Sequence, residues 1–483
     1  MELTISKKQK VYEFYLKHKA LIFLPAITLL LFFACYYSPL WIVAAVLTVP
    51  FYFGLDLGEL FCYTFYFGLF SGIKLYYIVS LLIGFCFMLV RYIVDLAKKR
   101  AKFYLLPFTL TTIYILIFSL INYGYDTNGL DQGVLVISLL YVAYFVLVYG
   151  KTINISKCFK YLSIAIFVSL ALGLLSLVLP KFGWKIYYYD GTYKRLQLFT
   201  YHQNHLAIIC AFAVCYYLTE IFNKKKNRIM CAALIICYML IGLFTLSKAF
   251  IVLLVIIALY SVVVLIKKYK WKSFRLILPA IAFLIVFCLC SRELVFKIID
   301  RFTTYYRRGT ETFLYKVTTG RSEIWNDYIA DLTKSIAKMF FGVGLFSKEL
   351  YAIGPHNVFV YFLYRSGFLG VVLLGLIIWS YYRETKGKFK VKMDNCLLLA
   401  IFVIISMEEM IFSDRFFFFL ILGILMTRVP EKNDEINKNE TATKIEVSSE
   451  NNKKNTQSET LEDSSEEKKE VQAKNMQGEI KWI

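Results

Sequence analysis

The chain has 483 residues, 59% of them hydrophobic and 18% charged, and its 55 Lys and Arg against 34 Asp and Glu leave a formal charge of +21. A mean hydropathy of +0.59 excludes a soluble enzyme of several domains, because so much apolar surface needs lipid as its solvent. The positive charge lies at the boundaries of apolar segments without an aromatic-basic binding module, so anionic membrane lipid is the expected partner and nucleic acid is not.

From residue 20 onward, apolar segments of roughly 15 to 25 residues recur between short polar joints, the length a helix needs to cross about 30 Å of hydrocarbon. The first is no cleavable signal: LPAITLLLFFACYYSP offers no small-residue cleavage site and runs straight into further apolar sequence. Basic clusters near the start (KKQK) and at 98–102, 223–228, 267–272 and 383–392 are expected inside, since Lys and Arg in short loops stay cytoplasmic. Parity then puts 122–132, 181–203, the Ser247-Lys248 junction and 291–355 outside. Segment 20–94 needs an even number of crossings, and about four short ones fit better than two, with 57–71 as a re-entrant stretch.

The expected architecture is an all-α polytopic membrane protein of about 12 to 14 transmembrane helices with a long, partly helical outer loop. Its divisions are a cytoplasmic N-terminus at 1–19, helices in 20–290, the outer loop at 291–355, helices in 356–430 and a disordered cytoplasmic tail at 431–483. The tail holds 9 Lys against 13 Asp and Glu and lacks hydrophobic periodicity. Cysteines within apolar segments (Cys35, Cys86, Cys210, Cys215, Cys237, Cys288, Cys290) have no metal-ligand or disulfide spacing and read as small packing residues. No metal site is expected.

The outer loop carries the informative patterns. In GRSEIWNDYIADLTKSIAKMFFGVG, Ile324, Tyr328, Leu332, Ile336 and Phe340 recur every fourth residue, with Trp325 and Ile329 beside them, which predicts one amphipathic helix. Glu323 and Asp327 early and Lys334 and Lys338 late match its dipole, and Gly342 and Gly344 end it. Ahead of it stand Arg292, Lys297, Arg301, Arg307, Arg308, Lys316 and Arg321. A solvated basic face and a surface for an anionic lipid-linked ligand are both open readings, the second because the Arg fork matches phosphate.

His356 lies in GPHNVFVYFLYRSG, between a polar loop and an apolar run. Pro355 before it favours the first turn of a helix, where exposed N–H groups and the dipole disfavour imidazolium and keep the ring a proton acceptor. A capping or interfacial histidine is the alternative. Arg321 could equally pair with Glu323, Trp325 equally pack at an interface, and His202 and His205 equally orient a substrate or serve structure. Glu408 and Glu409 inside an apolar segment must face protein or water.

The succession FTLSKAFIVLL, TGRSEIW, GVGLF and GPHNVFVYFLYRSGFLG, spread over 201–379, resembles the O-antigen ligase and Wzy-type polysaccharide polymerase family. That resemblance implies a multi-helix enzyme of the bacterial plasma membrane that transfers glycans from an undecaprenyl-pyrophosphate donor to an acceptor sugar on the outer face, without cofactor, nucleotide sugar or required metal. Motif by motif, it implies catalytic roles for His356, Arg321 and Lys248 and substrate contacts for His202, Asn204 and His205. Lys248 stands where the family often has Arg, which puts bidentate phosphate binding there in doubt. Arg307, Arg308, Trp325 and Asn357 complete the candidate substrate-binding set.

Polymerisation is preferred to ligation, because abundant Lys, Asn, Ile, Phe and Tyr suggest a low-GC genome in which a capsule or exopolysaccharide polymerase is a natural role. The alternatives are a ligase acting on a protein or envelope acceptor and a lipid-linked glycan flippase or transporter, although no two-halved internal repeat is visible. Expected partners are the lipid-linked donor, the glycan acceptor, membrane lipids and a chain-length regulator.

Overall fold

A chain that must satisfy its backbone within lipid does so most simply as helix, and the computed structural model is mostly helical. The structure describes residues 23–35, 37–53, 57–98, 150–178, 187–189, 193–200, 202–223, 227–270, 278, 289–303, 320–344, 350, 354–385, 421–422 and 425–426. Arg307, Arg308, Cys288, the Glu408-Glu409 pair, the basic joint at 383–392 beyond Thr385 and the 431–483 tail lie outside the described residues. The protein is an all-α polytopic membrane protein. Among the described residues, 4 helices are long and apolar enough to cross a membrane, and shorter apolar helices accompany them.

The ambiguous segment 20–94 contains α1 (Phe23–Ala34), α2 (Leu40–Thr48), α3 (Leu57–Phe67) and α4 (Lys74–Ala97). At 1.5 Å per residue, the 11 residues of α3 reach roughly 16 Å, about half the hydrocarbon thickness. All of them except Glu59 are buried. It is too short to cross on its own, and protein covers nearly all of its surface. The Tyr66 hydroxyl donates to the Leu24 carbonyl at 3.0 Å, tying α3 to α1, and Glu59 pairs with Lys157 of α5 (Ile155–Val178).

Helix α6 (Gln203–Asn223) runs through the core; α7 (Arg228–Phe244) and α8 (Lys248–Tyr269) follow it. Ser163 Oγ lies 2.8 Å from the Tyr217 hydroxyl and 2.9 Å from that of Tyr238, so one α5 hydroxyl joins α6 and α7. An element absent from the all-α reading precedes α6: β1 (Tyr187–Tyr189) pairs antiparallel with β2 (Lys194–Leu196), Tyr187 opposite Leu196 and Tyr189 opposite Lys194. The three tyrosines of β1 are residues that strands favour.

Beyond α9 (Arg292–Thr303), the expected single amphipathic helix is two: α10 (Arg321–Thr333) and α11 (Ile336–Phe341). Ser335, in extended conformation at φ −146° and ψ 133°, separates them. The four-residue period therefore fails at its end: Tyr328 and Leu332 are buried, whereas Ile336 and Phe340 are exposed. Asp331 gathers the broken end, accepting from Lys334 at 3.2 Å, Lys338 at 3.1 Å and the Tyr364 hydroxyl at 2.9 Å. Burial pushes its carboxyl up, but the hydrogen bonds from Lys338, Tyr364 and Lys334 prevail and hold it below the usual carboxylate range.

The last long element, α12 (Val358–Thr385), is interrupted at Gly367, whose φ of 62° and ψ of −171° leave the helix. The interruption frees carbonyls in the preceding turn. Val343 N–H donates to the Tyr364 carbonyl at 2.9 Å and Gly344 N–H to that of Arg365 at 2.9 Å, so the GVG segment caps the half-helix. The two backbones almost touch here. A Cβ on Gly367 would lie 2.4 Å from the Gly342 nitrogen, and one on Gly342 would lie 2.5 Å from the Arg365 carbonyl.

Candidate functional site

β2 carries Arg195 into the interior, where it is 4% exposed. Its Nε donates to the Thr245 carbonyl at 2.8 Å and its Nη2 to Asn204 Oδ1 at 2.9 Å. One guanidinium thus joins the entry of α6 to the turn between α7 and α8. In that turn Thr245 Oγ1 donates to the Gly242 carbonyl at 2.5 Å and accepts from Ser247 N–H at 3.3 Å. The turn delivers Lys248 as the first residue of α8, behind Ser247, an N-cap whose side chain makes no capping hydrogen bond. At the α6 entry, Asn204 N–H donates to His202 Nδ1 at 3.3 Å, and the His202 and His205 rings lie 5.5 Å apart.

A second group forms around α10. The Trp325 indole N–H donates to the Pro355 carbonyl at 2.7 Å, holding the peptide that leads into His356. The expectation that Pro355 opens a helical turn containing His356 is corrected here. Asn357 is the cap: its Oδ1 accepts from Phe359 N–H at 2.9 Å and Val360 N–H at 3.2 Å, and the helix begins at Val358. His356 stands one residue ahead of the cap with φ +48°. Asn is a preferred N-cap residue, and its short side chain outcompetes the proline for that end.

Arg321 is the first residue of α10, after Gly320 at φ +85°, and that helix also lacks a side-chain cap. Lys248 and Arg321 thus share a placement that Lys74 on α4 and Arg228 on α7 also have. A helix N-terminus presents unsatisfied N–H groups and partial positive charge, so a cation there is locally unfavourable. An anion bound at such an end is attracted by the N–H groups and by the side chain together.

These contacts arrange the sequence-predicted residues in two groups: His202, Asn204, His205 and Lys248 around Arg195, and Arg321, Trp325, His356 and Asn357 around α10 and the start of α12. Both groups border one apolar core, to which Leu206, Phe250 and Val358 all belong. Arg307 and Arg308 lie outside the described residues.

Sequence reasoning missed Arg195 and Arg365. Arg365, 3% exposed, donates from Nη1 to the Gly344 carbonyl at 3.2 Å, with its guanidinium 5.3 Å from the Tyr361 ring centre. A charge inside the apolar run VFVYFLYRSG was a readable signal for it. Arg195 carried none, as one basic residue among several in a polar loop.

Three segments that loop parity assigns to one side also meet: Lys194, the Phe244–Leu246 turn and Cys290 to Lys297 line one cleft. The Tyr193 hydroxyl donates to the Asp300 carboxylate across the same junction. No protein-family model matches the chain, and searches of curated proteins and of solved structures return no match.

Proposed function

We propose that this protein is a bacterial polysaccharide polymerase that joins undecaprenyl-pyrophosphate-linked oligosaccharide repeat units at the outer face of the plasma membrane. The observation that carries the reading is that Lys248 and Arg321, the two motif cations expected on the outer side, each lead a helix N-terminus without a side-chain cap. In the reaction an acceptor hydroxyl oxygen bonds to the anomeric carbon of the donor sugar. The bond from that carbon to the pyrophosphate breaks, and the lipid pyrophosphate leaves with the electron pair. In this reading the departing charge falls to the two cations and their helix ends. The acceptor proton passes to the His356 imidazole, a general base whose loop Trp325 holds in place.

The test is reconstitution. Purified protein in detergent, given synthetic undecaprenyl-pyrophosphate repeat units and a chelator, is expected to lengthen the glycan. Transfer to a single acceptor without growth selects the ligase, and translocation without a new glycosidic bond selects the flippase. His356→Ala is expected to lower the chemical step by about 10²- to 10⁴-fold with donor binding nearly unchanged. Lys248→Arg is expected to be tolerated and Arg321→Lys impaired, because only the guanidinium has a planar fork. A folded His356→Ala protein with wild-type turnover removes the base from this scheme.

A further inference from the structure

We infer that the cleft beside the Arg195 group binds an acidic sugar of the glycan, a uronic acid or similar carboxylate-bearing residue, and so selects an anionic repeat unit; the glycan setting rests on the polymerase reading. The cleft has a volume of about 430 Å³ and is lined by Lys194, Phe244, Leu246, Cys290, Ser291, Arg292, Glu293, Leu294 and Lys297. That volume is within the range of small-ligand pockets, roughly 300 to 1,000 Å³.

Its walls come from distant parts of the chain. Strand alternation turns Arg195 inward to the Thr245 carbonyl, leaving the exposed Lys194 to the cleft. The cleft is thus the other side of the same strand and the same turn that organise the entry to α6 and the start of α8. The hydrogen bond from Tyr193 to Asp300 ties α9, which carries Lys297, to the residue just before that strand.

The lining points to a charged polyol more than to a bare phosphate. Lys194, Arg292 and Lys297 supply cations for an anionic group, and Glu293 stands among them. A carboxylate repels phosphate but accepts hydrogen bonds from sugar hydroxyls. Ser291 adds a hydroxyl that both donates and accepts, and half-exposed Phe244 adds an aromatic surface for the apolar face of a sugar ring. Pyrophosphate needs neither the aromatic surface nor the carboxylate.

Cys290, an exposed thiol in this lining, reports occupancy without any transfer reaction. The full-length protein in detergent is treated with an anionic or a cationic thiol reagent, and modification of Cys290 is read by peptide mass mapping. A cleft with three cations to one carboxylate concentrates anions, so the anionic reagent is expected to react about tenfold faster, and Lys194→Glu with Lys297→Glu is expected to abolish the preference. A trisaccharide of galacturonic acid is expected to protect Cys290, whereas neutral maltotriose, inorganic pyrophosphate and phosphatidylglycerol vesicles leave it reactive.

Equal protection by pyrophosphate makes the cleft a phosphate site, and equal protection by the vesicles a lipid site; either result overturns the inference, as does failure of the acidic trisaccharide on the wild-type protein or a Cys290 that neither reagent reaches. Protection needs no turnover. A protein that lacks transferase activity but is protected loses the polymerase reading alone, and one that polymerises glycans without protection loses this inference alone.

Discussion

Helices α6 and α8 are neighbours that meet the solvent problem in opposite ways. The α6 window Gln203–Phe222 has a mean hydropathy of 1.7 and is 72% buried, whereas the α8 window Lys248–Lys267 reaches 3.2 and is 22% buried. In a water-soluble protein the more hydrophobic helix would be the inner one. Here lipid rewards the apolar surface of α8, and protein packing rewards the smaller and more polar surface of α6, rich in Ala and Cys. Both helices begin at the candidate site, so one edge of that site rests on a packed wall and the other on a helix that faces lipid.

The comparison recurs inside α12, where the change of regime falls at Gly367. Arg365 and Ser366 before it are 3% exposed, while Phe368 after it is 59% exposed. Gly367→Ala is expected to cost the most, roughly 4 kcal/mol, because a Cβ there meets the Gly342 backbone and the dihedral is one that almost only Gly adopts. Thermal unfolding in detergent reads this; a variant that melts with the wild type shows that the contact with the GVG segment is not what joins the two halves.

Arg195→Ala is expected to follow at roughly 3 kcal/mol, since it leaves the buried Thr245 carbonyl and Asn204 amide without their charged donor. The loss should appear on the packed side first, as faster hydrogen exchange at the start of α6. Unchanged exchange there would mean that α6 holds its entry without the arginine.

A matched pair isolates the two environments. Leu206 on α6 is fully buried and Leu259 on α8 is 63% exposed. Leucine-to-alanine truncation at the first leaves a cavity and is expected to lower stability by roughly 2 kcal/mol, while at the second the change stays within about 0.5 kcal/mol. Equal melting temperatures for the two variants would erase the distinction between the helices.

The smallest effect is acid-dependent. The folded-state pKa of Asp331 is depressed, so the stability it contributes is fully present above the unfolded carboxyl value, about 4, and is lost as pH falls through the lower folded value. The stability difference between the wild type and Asp331→Asn is therefore expected to be largest near neutrality and to shrink at strongly acid pH. A difference that stays constant on acidification removes the charge from the account.

Much of this architecture was legible because lipid enforces simple rules. Apolar length announced the helices, and in 20–94 the described segments resolve into α1 to α4. The Gly342 and Gly344 stop was readable, and the structure adds its reason, a backbone crossing with Gly367 that admits no Cβ. Local periodicity misled where a tertiary contact intervened: Asp331 and Ser335 break the helix drawn from Ile324 to Phe340, although the spacing of apolar residues continues across the break. The start of α12 was misplaced because Pro355 is a common opener while Asn357 is the better cap. Arg195 was invisible for a different reason, since its partners at Asn204 and Thr245 are brought to it only by the packing of α6 against α7.

The brace on α10 has a mechanical consequence. Near its beginning Trp325 grips the Pro355 peptide, and near its end Asp331 grips Tyr364, so this helix is riveted both to the loop ahead of α12 and to α12 itself. Arg321 lies one turn before Trp325, roughly 6 Å along the axis. When the bilayer thins, thickens or tilts the helix beneath, the arginine and the histidine loop ride together like jaws on one tool. Their separation is set by the protein and not by the lipid composition of the cell that makes it.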